Sequence, residues 1–220
     1  MRSGILSLMA LAAAFACGSA AAAESGARSL DGVLADLANG GSVILMRHAN
    51  APQGQLASVG LTAGCDFKDG RGLDAKGFFQ ARFIGEFFRE NRIGVAMAYT
   101  SDACRAFDTA RLIAAGAPVV IEPALKTTDR SIVDSFKTVV TTAFAGGAKT
   151  NVLLVTHSNI VPLYADWGSA EEIPSGVILV VDPKDWSVKA KLNLDFDLSV
   201  GESKSSPGMS EGAGSTEPAQ

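Results

Sequence analysis

Histidine is scarce in this chain, with only His48 and His157 among 220 residues. Two distant histidines, without an H-E-x-x-H or a C-x-x-C motif, offer too few ligands for an ordinary zinc site. No G-x-S-x-G stands at a predicted strand–helix turn, which argues against a serine hydrolase. Glycine-rich stretches lack the G-K-[ST] ending of a P-loop. The chain also has no internal repeat and no heptad pattern.

The N-terminus has the character of a secretory signal. A basic start at Arg2 is followed by an apolar run over 5–16 and by Ala21-Ala22-Ala23. We predict a signal peptide over 1–23, a domain over 24–198 and a disordered, Gly/Ser/Glu/Pro-rich tail over 199–220. Loss of Arg2 takes the formal charge from −4 to about −5, so a nucleic-acid or anionic-membrane partner is not expected.

Cysteine is also rare, and its three positions have different expected fates. Cys17 lies within the predicted signal and is an alternative lipidation site, although the preceding Ala14-Phe15-Ala16 is a poor lipobox. Cys65 and Cys104 remain in the mature chain, and an oxidising compartment favours a disulfide between them. Two unrelated buried thiols are the alternative.

The hydrophobic pattern alternates between strands and helices. An α/β fold follows, with three layers, a mostly parallel central sheet and helices on both faces. A long loop is predicted over 50–72. An apolar stripe of Phe79, Phe83 and Phe87, with Ile84 and Phe88, is predicted to face the core. Strands are predicted at 43–46, 95–100, 118–121, 152–155, 177–181 and 188–194, and helices at 30–38, 74–91, 101–114, 129–145 and 160–167.

Three strand–helix junctions carry the polar residues that could do chemistry. Arg47 and His48 end the first strand, Arg105 follows the second, and His157 ends the fourth. These junctions lie on the same edge of a parallel sheet, where ligands bind in open α/β folds. Taken singly, each residue is more often a satisfied or solvated polar group, and it is their coincidence that predicts a site.

Two arginines and two histidines suit a phosphoryl group. The guanidinium fork matches phosphate oxygens, and backbone N–H groups at a helix start add further donors. A neutral imidazole nitrogen can attack phosphorus and form a phosphohistidine. The remaining groups then stabilise the charge on the equatorial oxygens in the transition state.

Four segments in order resemble the motifs of the histidine phosphatase superfamily, the phosphoglycerate mutase-like fold. Leu45-Met-Arg-His-Ala49 is similar to its R-H-G signature, and Leu73-Asp-Ala-Lys-Gly77 with Gln80-Ala81 is similar to its L-x-x-x-G-x-x-Q-A helix start. Thr100 to Ala110 is similar to S-x-x-x-R-x-x-x-T-A, and Val155 to Asn159 is similar to the second-histidine segment of exported bacterial members.

That resemblance implies roles for the four residues. His48 would be the nucleophile, and Arg47, Arg105 and His157 would bind the phosphoryl group. A subgroup with a loop cysteine and a Cys-Arg pair looks like this chain, which supports the Cys65–Cys104 bridge. Ala49 stands where the family usually has glycine.

The proton donor is where the sequence departs from the family. Threonine replaces the glutamate that mutase-like members carry after the third strand, and Ser158 replaces the aspartate that the phytase-like branch carries after the second histidine. Asp129 is the first candidate donor and Glu122 the second, with Asp66 or Asp69 of the long loop as further alternatives.

The sequence therefore predicts a periplasmic or secreted phosphomonoesterase that uses no metal and no cofactor. Its expected partner is a small phosphorylated substrate, and no membrane insertion is expected after signal cleavage. Sugar phosphates of the envelope are one option, because exported relatives include a lipopolysaccharide-core heptose phosphatase. The alternatives are a phosphate-ligand binding protein on the same fold without turnover and a metal-dependent hydrolase.

Overall fold

The structure is a computed structural model that describes residues 29–53, 71–147, 149–168 and 172–194. The predicted signal peptide over 1–23, Cys65, Asp66 and Asp69 of the long loop, and the predicted tail over 199–220 lie outside the described residues. The domain bounds, the export signal and the lipidation alternative at Cys17 therefore stay predictions.

Helices and strands alternate along most of the chain, as the hydrophobic pattern predicts. Their order is α1 (Leu30–Asn39), β1 (Val43–Arg47), α2 (Ala75–Glu90), β2 (Val95–Thr100), α3 (Cys104–Ile113), β3 (Val119–Ile121), a short 3₁₀ helix (Pro123–Leu125), α4 (Arg130–Ala145), β4 (Asn151–Thr156), α5 (Val161–Tyr164), β5 (Ile178–Val181) and β6 (Val188–Leu192).

The six strands form one sheet in the order β3-β2-β4-β1-β5-β6. β3, β2, β4 and β1 are parallel to one another, whereas β5 runs antiparallel to both β1 and β6. All four residues from Val43 to Met46 are fully buried, which fits a central strand covered on both faces. The predicted α/β class with a mostly parallel sheet is confirmed.

Two apolar clusters cover the two faces of the sheet. Ile44 and Met46 pack with buried residues of α1, α2 and α3, whereas Val43 and Leu45 pack with those of α4 and α5. Successive strand residues point to opposite faces, so this alternation gives the predicted three layers. No described helix has the length and apolar character needed to cross a membrane.

Local chemistry fixes the ends of the helices that surround the sheet. The Ser29 hydroxyl accepts a hydrogen bond from the Gly32 N–H and caps α1, which ends at Gly40 with φ of 78°. A Cβ on Gly40 would lie 1.7 Å from the Lys149 carbonyl oxygen, so this turn requires glycine. Asp74 caps α2 by accepting from the Gly77 N–H at 2.7 Å.

Two sequence-based expectations about helices are wrong in part. Ile84 and Phe88 are buried and Phe87 packs against the core, as predicted, but Phe79 and Phe83 are 49% and 40% exposed. The core is therefore contacted by the Ile84 and Phe88 side of α2, and the phenylalanine row turns away from it at its N-terminal end. The predicted helix over 160–167 is reduced to a single turn, because Ala165 is already extended with φ −149° and ψ 150°.

Candidate active site

The parallel pairing of β1 and β4 brings the two histidines together. Arg47 is in register with Thr156, and the His48 N–H donates to the Thr156 carbonyl at 2.9 Å. The ring centroids of His48 and His157 are 5.3 Å apart, with an interplanar angle of 65°. Both side chains are buried. The predicted meeting of these two strand ends at one sheet edge is confirmed.

The hydrogen bonds of His48 define which ring nitrogen carries its proton. Nδ1 lies 2.7 Å from the carbonyl oxygen of Ala49, which can only accept, so Nδ1 is the protonated nitrogen. Nε2 accepts from Nε of Arg105 at 3.2 Å. Burial is the main cause that lowers the pKa of His48 from 6.5 to about 3, with smaller contributions from nearby cations. The imidazole is therefore neutral at pH 7, and its Nε2 lone pair faces the site.

His157 is held by a different kind of partner. Its Nε2 lies 2.9 Å from the Ser101 hydroxyl, and its Nδ1 lies 3.4 Å from Nη2 of Arg105. A guanidinium can only donate, so Nδ1 is the acceptor and Nε2–H donates to Ser101. Burial first, and then the charge of Arg105, lower the pKa of His157 from 6.5 to about 4.

Arg105 connects the two rings, and Thr109 connects Arg105 to the backbone beside His48. Both belong to α3, one helical turn apart. The Thr109 hydroxyl donates to the Arg105 carbonyl at 2.6 Å and accepts from the Ala49 N–H at 3.0 Å. The Ala49 carbonyl is in turn the acceptor for Nδ1 of His48. One fully buried hydroxyl thus joins the helix that carries Arg105 to the loop that orients His48.

Arg47 lies beside His48 but is anchored on its other side. Its Nη1 donates to Oε1 of Glu172 at 2.9 Å and also to the carbonyl of Ile173. Its Nε is buried and has no hydrogen-bond partner among the described residues. Arg47 is close enough to contribute to the lowered pKa of His48. We call Arg47, His48, Arg105 and His157 together the cage.

The N-terminal half of α2 supports the loop that follows His48. Gln80 accepts from the Asn50 N–H at 3.0 Å and donates to the Ser175 carbonyl at 2.9 Å. The side chain of Asn50 donates to Asp74, the cap of α2, at 2.8 Å. A Cβ on Gly77 would lie 2.0 Å from the Asn50 carbonyl oxygen, so glycine lets the helix approach this closely. These contacts hold the chain on both sides of the cage.

Sequence reasoning assigned no role in the site to Ser101, Gln80 or Thr109. The sequence favours Ser101 or Asp102 as the cap of α3, but the N-cap is Ala103 and makes no side-chain cap. The Ser101 hydroxyl binds His157 instead. A usable signal existed for Thr109, because it lies four residues after Arg105 and hence on the same face of the helix.

Asp129 and Glu122, the candidate proton donors among the described residues, both make hydrogen bonds at helix starts. Asp129 caps α4, and its Oδ1 accepts from both the N–H and the hydroxyl of Ser131. Those hydrogen bonds hold its pKa below the usual value, which opposes service as an acid at neutral pH. Glu122 caps the 3₁₀ helix by accepting from the Ala124 N–H at 2.9 Å.

Cys104 is fully buried at the first residue of α3, next to Arg105. Its predicted partner, Cys65, lies outside the described residues. The Cys65–Cys104 disulfide therefore stays a prediction, and so does the idea that it fixes the helix start that carries Arg105.

The cage combines a neutral imidazole nitrogen with two guanidinium groups at the edge of a parallel sheet. Such a site attracts an oxyanion and places a nucleophile beside it. Within the described ranges, no three His, Cys, Asp or Glu side chains gather as metal ligands would. Whether the chemistry needs a metal stays a question for experiment.

Comparison with known proteins gives one family and a common fold. Residues 43–134 match the model of the histidine phosphatase superfamily, branch 1. The protein histidine phosphatase SixA, in a structure with tungstate, is 16% identical at a TM-score of 0.50, covering 69% of this chain and 96% of its own. No curated protein matches the sequence.

Two further solved structures are similar to this chain. The ecdysone phosphate phosphatase EPPase from Bombix mori, also with tungstate, is 15% identical at a TM-score of 0.50, covering 71% of this chain and 95% of its own. At this identity the likeness to EPPase concerns the fold alone. A phosphoglycerate mutase from Thermus thermophilus is 22% identical at a TM-score of 0.44, covering 70% of this chain and 99% of its own.

Proposed function

We propose that the chain is a member of the histidine phosphatase superfamily, whose model matches residues 43–134, and that it hydrolyses phosphate monoesters through a covalent phosphohistidine on His48. The observation that carries this proposal is the state of the His48 ring. Its Nδ1 proton is held by the Ala49 carbonyl, and its Nε2 lone pair points at Arg105. A neutral imidazole with a directed lone pair is the form that attacks phosphorus.

In the first step, Nε2 of His48 forms a bond to phosphorus while the bond from phosphorus to the ester oxygen breaks. Arg105 would turn its Nε–H from His48 to a phosphoryl oxygen, which frees the lone pair for attack. The buried Nε–H of Arg47 lacks a described partner and would bind a second oxygen. Together with His157, these donors would stabilise the charge that develops on the equatorial oxygens.

In the second step, a water oxygen bonds to phosphorus, the P–N bond breaks, and His48 regains its lone pair as phosphate leaves. The leaving oxygen of the first step needs a proton, and the water of the second step gives one up. Asp129 remains our first candidate for this exchange, with Glu122, Asp66 and Asp69 as alternatives. The lowered pKa of Asp129 counts against it. Full activity of Asp129→Asn toward an alkyl phosphate would remove it from the mechanism.

A phosphate-ligand binding protein without turnover is the second candidate function. It is favoured by one observation, namely that Asp129 and Glu122 are both engaged as helix caps. A substrate with a good leaving group, such as 4-nitrophenyl phosphate, tolerates the loss of the acid and so separates the two functions. Binding of this compound without hydrolysis would support the second candidate.

The experiment for the phosphatase compares wild-type protein with His48→Ala on 4-nitrophenyl phosphate. We expect turnover only in the wild type, and an acid-labile phosphoryl group on His48 after rapid denaturation. Equal turnover in both proteins would contradict the role of His48. The same assay in excess chelator tests the metal-dependent alternative. If that alternative holds, the chelator abolishes activity.

Export to the periplasm or beyond is part of the proposal and rests on the first 23 residues. Mass spectrometry of the mature chain would find Glu24 at its N-terminus, or a lipidated Cys17 under the alternative. A purified chain that still begins at Met1 would contradict export.

A further inference from the structure

A depression of about 320 Å³ lies between the segments that follow β2 and β3. Its lining comprises Asp102, Ile121, Pro123, Lys126 and Thr127. Lys126 brings a positive charge to this wall.

Two hydrogen bonds attach the walls of the depression to the neighbours of His157. On one side, Ser101 binds Nε2 of His157, and Asp102 follows it directly. On the other side, the hydroxyl of Thr156 donates to the Leu125 carbonyl at 2.6 Å, and Lys126 follows Leu125. Both walls are therefore attached to residues that contact or adjoin His157.

Lys126 closes the connection between these walls. Its Nζ lies 2.8 Å from Oδ1 of Asp102, and the two side chains are 48% and 59% exposed. An ammonium group has three N–H donors, so Lys126 can hold Asp102 and still bind a second acceptor. An ion pair this exposed contributes little and exchanges readily.

The charges around His157 favour an anion at this place. Arg105, Lys126 and Arg71 all lower the pKa of His157, whereas Asp102 raises it. Among the described side chains that act on His157, positive charge therefore exceeds negative charge. Ile121, which is 51% exposed, and Pro123 add an apolar surface beside the charged groups.

We propose that this depression receives the leaving group of the substrate and that Lys126 binds a second anionic group on it. The preferred substrates are then phosphate monoesters whose alcohol carries a carboxylate or another oxyanion near the phosphoryl group. The carbon skeleton lies against Ile121 and Pro123, and the phosphoryl group lies in the cage. This inference rests on the proposed phosphatase function and narrows its substrate class.

The kinetic test compares phenyl phosphate with its 2-, 3- and 4-carboxyphenyl analogues. For the wild type we expect kcat/KM to be higher for at least one carboxylated isomer than for phenyl phosphate. In Lys126→Met this preference falls about fivefold, which is the range for one partly exposed charged contact. Lys126→Arg keeps the positive charge and should retain most of the preference.

The matched control is Lys149→Met, because Lys149 is an exposed lysine just before β4, at the opposite edge of the sheet. It should leave both rates unchanged. The proposal is overturned if the wild type prefers no carboxylated isomer, or if Lys126→Met retains the same preference as the wild type.

A binding test separates this proposal from the proposed activity. Phenylphosphonate and 4-phosphonobenzoate contain a P–C bond that hydrolysis cannot cleave, and calorimetry gives their dissociation constants. Tighter binding of 4-phosphonobenzoate that Lys126→Met abolishes would support the anion site even if no substrate were turned over. If wild type and Lys126→Met bind 4-phosphonobenzoate with the same dissociation constant, the anion site is overturned, whether or not the protein is a phosphatase.

Discussion

His48 and His157 stand side by side at the same sheet edge, but different chemical groups hold them. The proton of His48 is bound by the Ala49 carbonyl, a main-chain acceptor that cannot donate. The proton of His157 is bound by the Ser101 hydroxyl, which can accept or donate. Thus the tautomer of His48 is fixed, whereas that of His157 can invert when the hydroxyl turns.

This difference matches the two roles that we propose. A nucleophile needs a lone pair that always points to the same place, and a carbonyl fixed in the backbone ensures that. A ring that binds a phosphoryl oxygen must instead offer an N–H from Nδ1, the nitrogen that here carries a lone pair toward Arg105. A hydroxyl partner allows this change without leaving a buried nitrogen unpaired.

The largest expected contrast is between the two alanine variants of these histidines. His48→Ala removes the group that forms the covalent bond, and we expect kcat to fall about 10⁴-fold or more. His157→Ala removes one stabilising donor, for which about 10²- to 10³-fold is typical. Steady-state rates on 4-nitrophenyl phosphate give both values. Equal losses would show that the two rings do not have separate roles.

The next largest effect is expected at Thr109, which positions His48 through the Ala49 peptide. Thr109→Val keeps the shape but loses the hydroxyl that joins Ala49 to Arg105. We expect kcat to fall about 10- to 100-fold, because small displacements of a reacting group are costly, with little change in KM.

Thr109→Ser is the matched variant for that measurement, since it restores the hydroxyl and should restore most of kcat. A purely structural role for Thr109 would instead give equal losses in both variants, in step with their stability to urea. That outcome would remove Thr109 from the positioning of His48.

A smaller effect is expected at Ser101, the partner of His157, whose hydroxyl can donate or accept. Ser101→Ala leaves Nε2 of His157 without its partner, and we expect the inhibition constant of inorganic phosphate to rise about three- to tenfold. Ser101→Thr retains the hydroxyl and serves as the control. If phosphate inhibits all three proteins equally, the hydroxyl does not adjust His157 for phosphate.

Both rings should also make the free energy of unfolding depend on pH. Their pKa values are lowered from 6.5 to about 3 for His48 and about 4 for His157, mainly by burial. The unfolded chain thus binds protons near pH 6.5 that the folded chain does not. The contribution to stability is complete above pH 6.5 and is lost as the pH falls toward these lower values.

Urea unfolding at a series of pH values between 7 and about 4 tests this dependence. A double variant, His48→Gln with His157→Gln, has no imidazole to titrate, and its midpoint should decline less steeply than that of the wild type. If the urea midpoints of the two proteins fall equally with pH, the pH dependence belongs to other groups.

The strands, their direction and the sheet edge at which they end were predicted from short segments of the sequence. The apolar run over 43–46 and its counterpart before His157 indicated two central strands, and a parallel sheet then required their ends to meet. Arg105 could be placed at the same edge because it follows the next strand. These inferences hold because strand direction and hydrophobic burial are set by short segments.

Contacts between distant segments could not be predicted in this way. Ser101 has the chemistry of a helix cap, and only the position of His157, 56 residues later, gives its hydroxyl another partner. Phe79 has the spacing of a buried residue, but the sheet contacts the neighbouring face of α2. The anchoring of Arg47 by Glu172 and Ile173 likewise depends on a segment more than 100 residues away.

Arg105 donates to Nε2 of His48 and to Nδ1 of His157, so one guanidinium covers both lone pairs that face the site. Two imidazole lone pairs at such close range would otherwise form a chelating pair for a divalent transition metal ion. The positive charge of Arg105 between the two rings repels such ions and attracts oxyanions. We therefore expect Arg105, the residue proposed to bind the phosphoryl group, also to oppose metal coordination by His48, the proposed nucleophile.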